Sequence, residues 1–234
     1  MRRRVAAIVV AVATVGAAAL LPLVDAAASV APAGCPKAPP RPATSTEYRT
    51  DGYRWNPSET IYYRVDTARL RSSQIKARVA DAKRAMRASS TYSGLAVRYL
   101  GTESKLKSPS THDRLVQFEY AELPKVKGVR EGVSVNLFFY HGTKQMYSAT
   151  IDTQITTATG YGPFDPGHPT RSAEGHLLLF GVGLTMGLAE GSIKWPVVMN
   201  PTTSTHSYYT RYQAGDRFGL WKVGASAGCG GFKY

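Results

Sequence analysis

Leu177-Leu178-Leu179-Phe180-Gly181-Val182-Gly183-Leu184-Thr185-Met186-Gly187-Leu188-Ala189-Glu190 is the stretch whose reading decides the fold, with Val197-Val198-Met199-Asn200-Pro201 shortly after it. Start and stop signals predict a helix from about Ser172 to Met186. Ser172 is its cap and Glu174 places a negative charge in its first turn. Near Gly187 the helix should stop. No charged residue lies between Leu177 and Ala189, so this segment offers no acid, base or metal ligand of its own.

Outward from it, the chain alternates strand and turn signals. Ile61–Val65 reads as a strand entered from Trp55-Asn56-Pro57, and further strands are expected at 95–100, 115–120, 133–140 and 147–155. Ser72 to Ser89 reads as an amphipathic helix capped by Ser72 or Ser73. Ile75, Val79, Ala82 and Met86 form its buried stripe. A shorter helix is expected over Tyr208 to Phe218. Fourteen Tyr, 22 Gly and 14 Pro favour strands and loops over a helical bundle. The fold class expected is α+β, one domain.

Gly52-Tyr53-Arg54-Trp55, then a strand, then an amphipathic helix, make the first of three ordered pieces. The apolar helix ending Thr185-Met186-Gly187-Leu188-Ala189-Glu190 is the second. Val197-Val198-Met199-Asn200-Pro201, followed by Tyr209 through Asp216-Arg217-Phe218-Gly219-Leu220, is the third. Over about residues 52–224 this order resembles the matrixin-type metzincins, zinc peptidases whose active-site helix is followed by a Met-turn. The resemblance implies a twisted mixed β-sheet, an amphipathic helix, a former active-site helix, and a Met-turn at Val-Met-Asn-Pro. It makes the Asp216–Leu220 run the exit of the last helix.

The zinc motif of that family, H-E-x-x-H-x-x-G-x-x-H, is missing. With Gly187 in the place of the motif's Gly, the three His positions fall on Phe180, Leu184 and Glu190, and the Glu position falls on Gly181. Phe and Leu have no lone pair, and Gly has no carboxylate to take a proton from a zinc-bound water. Glu190 offers one oxygen where a catalytic zinc takes three protein ligands. The remnant cleft is therefore Phe180, Gly181, Leu184, Gly187, Glu190 and Met199, with no catalytic or metal residue among them. Zinc belongs to active relatives and no cofactor is expected here.

His112, His141, His168, His176 and His206 contain no i, i+4 pair, and they read as separate surface or capping histidines. There is no G-x-S-x-G, and Gly228-Cys229-Gly230-Gly231 lacks the Lys-Ser/Thr of a phosphate loop.

Met1-Arg2-Arg3-Arg4, an apolar run from Val5 to Val24 and Ala26-Ala27-Ala28 form a secretory-signal pattern, giving residues 1–28 as a signal peptide. Residues 29–50 are a Pro-rich lead-in and 51–234 the metzincin-like domain. The formal charge of +13 falls to +11 without the signal. The chain is expected outside the cytoplasm or at the cell envelope, as a monomer. There Cys35 and Cys229, the only two Cys, pair with each other.

Lys76, Lys83 and Arg87 share one helix face and form a possible polyanion patch, against the plainer reading of a solvated face. No base-reading signal points to nucleic acid. The function expected is an inactive peptidase homologue that binds a peptide, a protein or an anionic envelope polymer. The alternatives are a divergent zinc endopeptidase with relocated ligands and a structural cell-surface protein.

Overall fold

Ile61, Tyr63 and Val65 alternate along Ile61–Asp66 and all face one core, as period-two side chains on a half-covered sheet must. This first strand, β1, organises the sheet. The computed structural model describes residues 35–105, 107–121, 123, 125–126, 129–130, 132–154, 173–192, 194–200 and 209–229. After β1 come α1 (Ser72–Ser93), β2 (Val97–Glu103) and β3 (Leu115–Ala121). A two-stranded pair, β4 (Lys125–Val126) with β5 (Val129–Arg130), follows. Then come β6 (Val133–Phe139), β7 (Met146–Gln154), α2 (Ala173–Thr185), α3 (Ala214–Val223) and a 3₁₀ turn at Ala225–Ala227.

The five-stranded sheet runs in the order β2-β1-β3-β7-β6. β2, β1, β3 and β7 are parallel to one another, and β6 pairs antiparallel with β7. Ala31–Tyr234 form one compact unit, and the class is α+β with a mixed sheet and three helices. α1 packs against α2 and α3 on one face of the sheet. Val116, Phe118, Ala149 and Ile151 meet Ala82, Met86, Leu178 and Val182 there. On the other face Arg64 is buried and ion-paired with Glu103 of the neighbouring strand, which satisfies a charge that burial would otherwise penalise.

Several local expectations need correction. α1 is capped at Arg71, not Ser72 or Ser73. The Gln74 side chain reaches back to accept the Arg71 N–H at 3.0 Å, and the serines become first-turn residues. The helix also runs past Ser89 to Ser93, because Gly94, at φ 73°, is the first residue that adopts a left-handed stop. The last helix begins at Ala214 rather than Tyr208, so Asp216 lies in its first turn instead of near an exit. The β4–β5 pair was not foreseen. Of the strand at 147–155, residue 155 lies outside the described residues, as do residues 1–34.

The lead-in is extended and docked. Pro39 O accepts a hydrogen bond from Trp221 Nε1 at 3.1 Å, and Arg41 lies over the Phe218 and Trp221 rings of α3. Gly215 admits the Glu47 carbonyl where any Cβ would collide with it. A Cys35–Cys229 disulfide joins this segment to the end of the chain. Among the described residues no helix is long and apolar enough to cross a membrane.

Non-reducing peptide mapping should return a linked Cys35–Cys229 peptide. Replacing both with Ser should lower stability by up to about 5 kcal/mol, the chain-entropy value for a separation of 194 residues. A loss below about 1 kcal/mol would mean that the lead-in's own contacts hold it, without help from the crosslink.

Candidate functional site

Three glycines stand in the thirteen residues of α2, each costing a helix about 1 kcal/mol relative to Ala. Two of them are explained by what they touch. A Cβ on Gly181 would lie 2.9 Å from Ile151 Cγ2 and 3.1 Å from Val133 Cγ2. A Cβ on Gly183 would lie 2.5 Å from Met199 Sδ. The helix thus sits against β6 and β7 on one side and against the Val197–Asn200 turn on another, closer than any larger residue allows.

The end of α2 is built with equal economy. Leu188 N–H donates to Gly183 O and Gly187 N–H donates to Leu184 O, both at 3.0 Å, which is the Schellman arrangement. Gly187 takes φ 103°, and the Tyr53 carbonyl occupies the space where a side chain would begin. Trp55 Nε1 donates to Thr185 O at 2.6 Å, satisfying a carbonyl that the helix end leaves without an internal partner. Tyr212, fully buried, donates from its hydroxyl to Leu179 O at 2.8 Å.

Asp216 fixes the turn. One carboxylate oxygen accepts the Val198 and Gln213 N–H groups, each at 2.8 Å, and the other accepts the Met199 N–H at 3.1 Å. Burial pushes this carboxyl up to about 6, and its three N–H donors limit the rise because they favour the charged form. It is ionised at neutral pH and ties the start of α3 to the turn beneath α2.

The residues predicted for the remnant cleft fall into two groups. Phe180, Gly181, Gly187 and Met199 are buried. Leu184 is only half-buried and Glu190 is exposed. Leu184 packs on the core from a half-open position, and Met199 lies against Gly183. In the register that the resemblance implies, two of the metal positions carry a phenyl ring and an isobutyl group, and the position of the general base would fall at Gly181, against the methyls of Ile151 and Val133. These residues do not fit zinc. Among the described residues no group of three His, Cys, Asp or Glu side chains converges.

His176 corrects another expectation. It is a core residue of α2 rather than a surface or capping histidine. Its Nδ1 accepts the Tyr209 N–H at 3.2 Å, and burial lowers its pKa to about 4, so it is neutral at pH 7. His112 and His141 are exposed, while His168 and His206 lie outside the described residues. Lys76, Lys83 and Arg87 are all exposed on α1. Sequence reasoning missed Asp216, Trp55 and Tyr212 as determinants of the site. Trp and Tyr have polar tips that need partners when buried, and that was the available signal.

Two measurements check this geometry. Leu184→Ala should cost about 1 kcal/mol or less, and Leu178→Ala, at a fully buried position of the same helix, about 2–5 kcal/mol. Equal losses would contradict the half-open placement of Leu184.

The pH dependence divides between His176 and Asp216. The folded pKa of His176 lies below its unfolded value of about 6.5, so the unfolded chain binds the proton first. Its contribution to stability falls as pH drops from about 6.5 to about 4. The folded pKa of Asp216 lies above its unfolded value of about 3.9, so the folded chain binds first, and stability rises as pH drops from about 6 to about 4. The two oppose each other over one window. His176→Gln should therefore gain stability on acidification through that window, while Asp216→Asn, starting from a lower baseline, should lose it. Urea midpoints across the window decide, and a His176→Gln variant that weakens on acidification would sink the assignment.

No protein-family model matches the chain, and neither does any curated protein.

Proposed function

We propose that this chain is a catalytically inactive metzincin-like protein, exported from the cytoplasm, that acts by binding an extended peptide between α2 and the edge of β6. The observation that carries the reading is the seating of Met199 Sδ under Gly183, with Phe180, Gly181 and Leu184 at the positions of two ligands and a base. The sheet order, with its single antiparallel strand at the edge beside α2, supports the same relationship. The Arg-led apolar segment at residues 2–24 and the disulfide support export.

Among the described residues β6 pairs only with β7, so its outer edge presents backbone N–H and C=O groups. An extended peptide satisfies such an edge by adding a strand. Val133, Val135 and Leu137 of β6 are half-buried, as is Leu184 of α2, and they supply an apolar floor beside that edge. The chemistry this arrangement offers is recognition of backbone and apolar side chains. No proton transfer or Lewis-acid step is derived from it.

Purified protein should carry less than about one-tenth equivalent of zinc by elemental analysis. Phe180→His with Leu184→His and Glu190→His should gain zinc affinity. Gly181 is left unchanged because a side chain there would press on Ile151 and Val133. Near-stoichiometric zinc in the native chain, or no gain in a folded triple variant, would refute the register. In a displayed library of random peptides, extended apolar sequences should be enriched. Leu184→Glu should abolish that enrichment and Lys83→Glu should leave it intact. Enrichment indifferent to Leu184→Glu would move the binding surface elsewhere.

A further inference from the structure

Between Arg69 and Lys107 the sequence has ten Lys or Arg and two acids. Neither acid is exposed. Asp81 is buried beside Arg78, and Glu103 is bonded to the buried Arg64, with Lys107 at 3.8 Å. The solvent face of α1 carries Lys76, Lys83 and Arg87, all exposed, separated by seven and four residues. At the helical rise this places them about 10 and 6 Å apart along a straight line. The side chains exposed between and beside them are Ser72, Ser73, Ala77, Ala80, Arg84 and Thr91, all short except Arg84, a further cation, and Lys83 itself leans over the Tyr99 ring.

Nothing within the helix favours this arrangement. Lys83 and Arg87 are like charges at i, i+4. Arg71 and Lys76 lie near the helix's positive end, where the first turn has no acid. A solvated face selected only for solubility would mix both signs.

We infer that this face of α1 is a docking surface for a flexible linear phosphate polyanion, of the polyol-phosphate kind, held by Lys76, Lys83 and Arg87. Three observations set it apart from a nucleic acid and from a lipid surface. Tyr99, the ring adjoining the stripe, is already covered by the Lys83 ammonium at 4.2 Å, so it is not open for a base to stack on. The apolar side of α1, with Ala82, Ala85 and Met86, is buried in the core and cannot enter a lipid surface. Leu100, 47% exposed on the adjoining strand β2, is a single side chain where membrane insertion takes several. A thin, flexible chain of phosphates needs only a row of cations with free approach, and it binds through counterion release. The surface lies on the solvent side of α1 and does not depend on the peptide reading of α2 and β6.

The test is binding of the purified protein to inorganic polyphosphate, to a single-stranded oligodeoxynucleotide and to phosphatidylglycerol vesicles, each over a range of salt. Polyphosphate should bind most tightly, with affinity falling as salt rises. Lys76→Glu with Lys83→Glu and Arg87→Glu should weaken it by about tenfold or more. Lys37→Glu with Lys194→Glu and Arg211→Glu makes the same charge change at exposed positions elsewhere and should weaken it by about threefold or less. The corresponding Gln variants at 76, 83 and 87 should give an intermediate loss with an unchanged thermal midpoint. Equal losses in the two Glu triples would reduce the effect to net charge and overturn the proposal. So would tighter binding to the oligonucleotide or the vesicles, or no binding to polyphosphate at low salt.

Discussion

One buried carboxylate organises the region around α2. Asp216 accepts three backbone N–H groups, two from the Val198–Met199 turn and one from Gln213 at the start of α3. Such a group is costly to bury unless its lone pairs are used, and here both oxygens are used. The consequence is geometric. With the turn held to α3, Met199 is held beneath α2, and α3 in turn is held by the lead-in through Trp221 and Arg41. The lead-in from Cys35, the turn and the helices form one connected assembly that closes through the Cys35–Cys229 disulfide.

Packing and hydrogen bonds to helix carbonyls fix α2. The helix and the turn are joined by close contact at Gly183 and Met199, and the helix is tied further by the Trp55 and Tyr212 donors to its carbonyls. Two glycines that weaken the helix by about 1 kcal/mol each are kept because they let it approach the sheet and the turn. Close packing at Gly181 also leaves no room for a side chain between Ile151 and Val133.

The surface of α1 runs against this economy. Its core side is well packed, yet its outer side gathers cations, with Lys83 and Arg87 repelling at i, i+4 and Lys76 near the positive end of the helix dipole. A face with that cost, offset within the molecule by the lean of Lys83 over Tyr99, is most simply understood through what it meets outside the molecule.

Much was legible in the residues alone. β-branched and aromatic runs between turn residues placed β1, β3, β6 and β7, and end signals placed α2, all to within a residue or two, because these residue types reflect which segments leave water and where the backbone turns. That Phe180, Gly181 and Leu184 offer neither a metal ligand nor a general base needed only the chemistry of those side chains. The Cys35–Cys229 pairing followed from there being two Cys and a secretory-signal pattern. What the sequence could not specify was set by contacts between distant residues. Arg71 rather than a serine caps α1, because Gln74 folds back onto it. His176 is buried because Tyr209, 33 residues later, packs beside it. Asp216 became the clamp of the turn because α3 begins beside it, and Leu184 stayed half-open because β6 is the last strand of the sheet. Local pattern records burial along one element, but partners that lie many residues apart in the chain are chosen only when the elements pack.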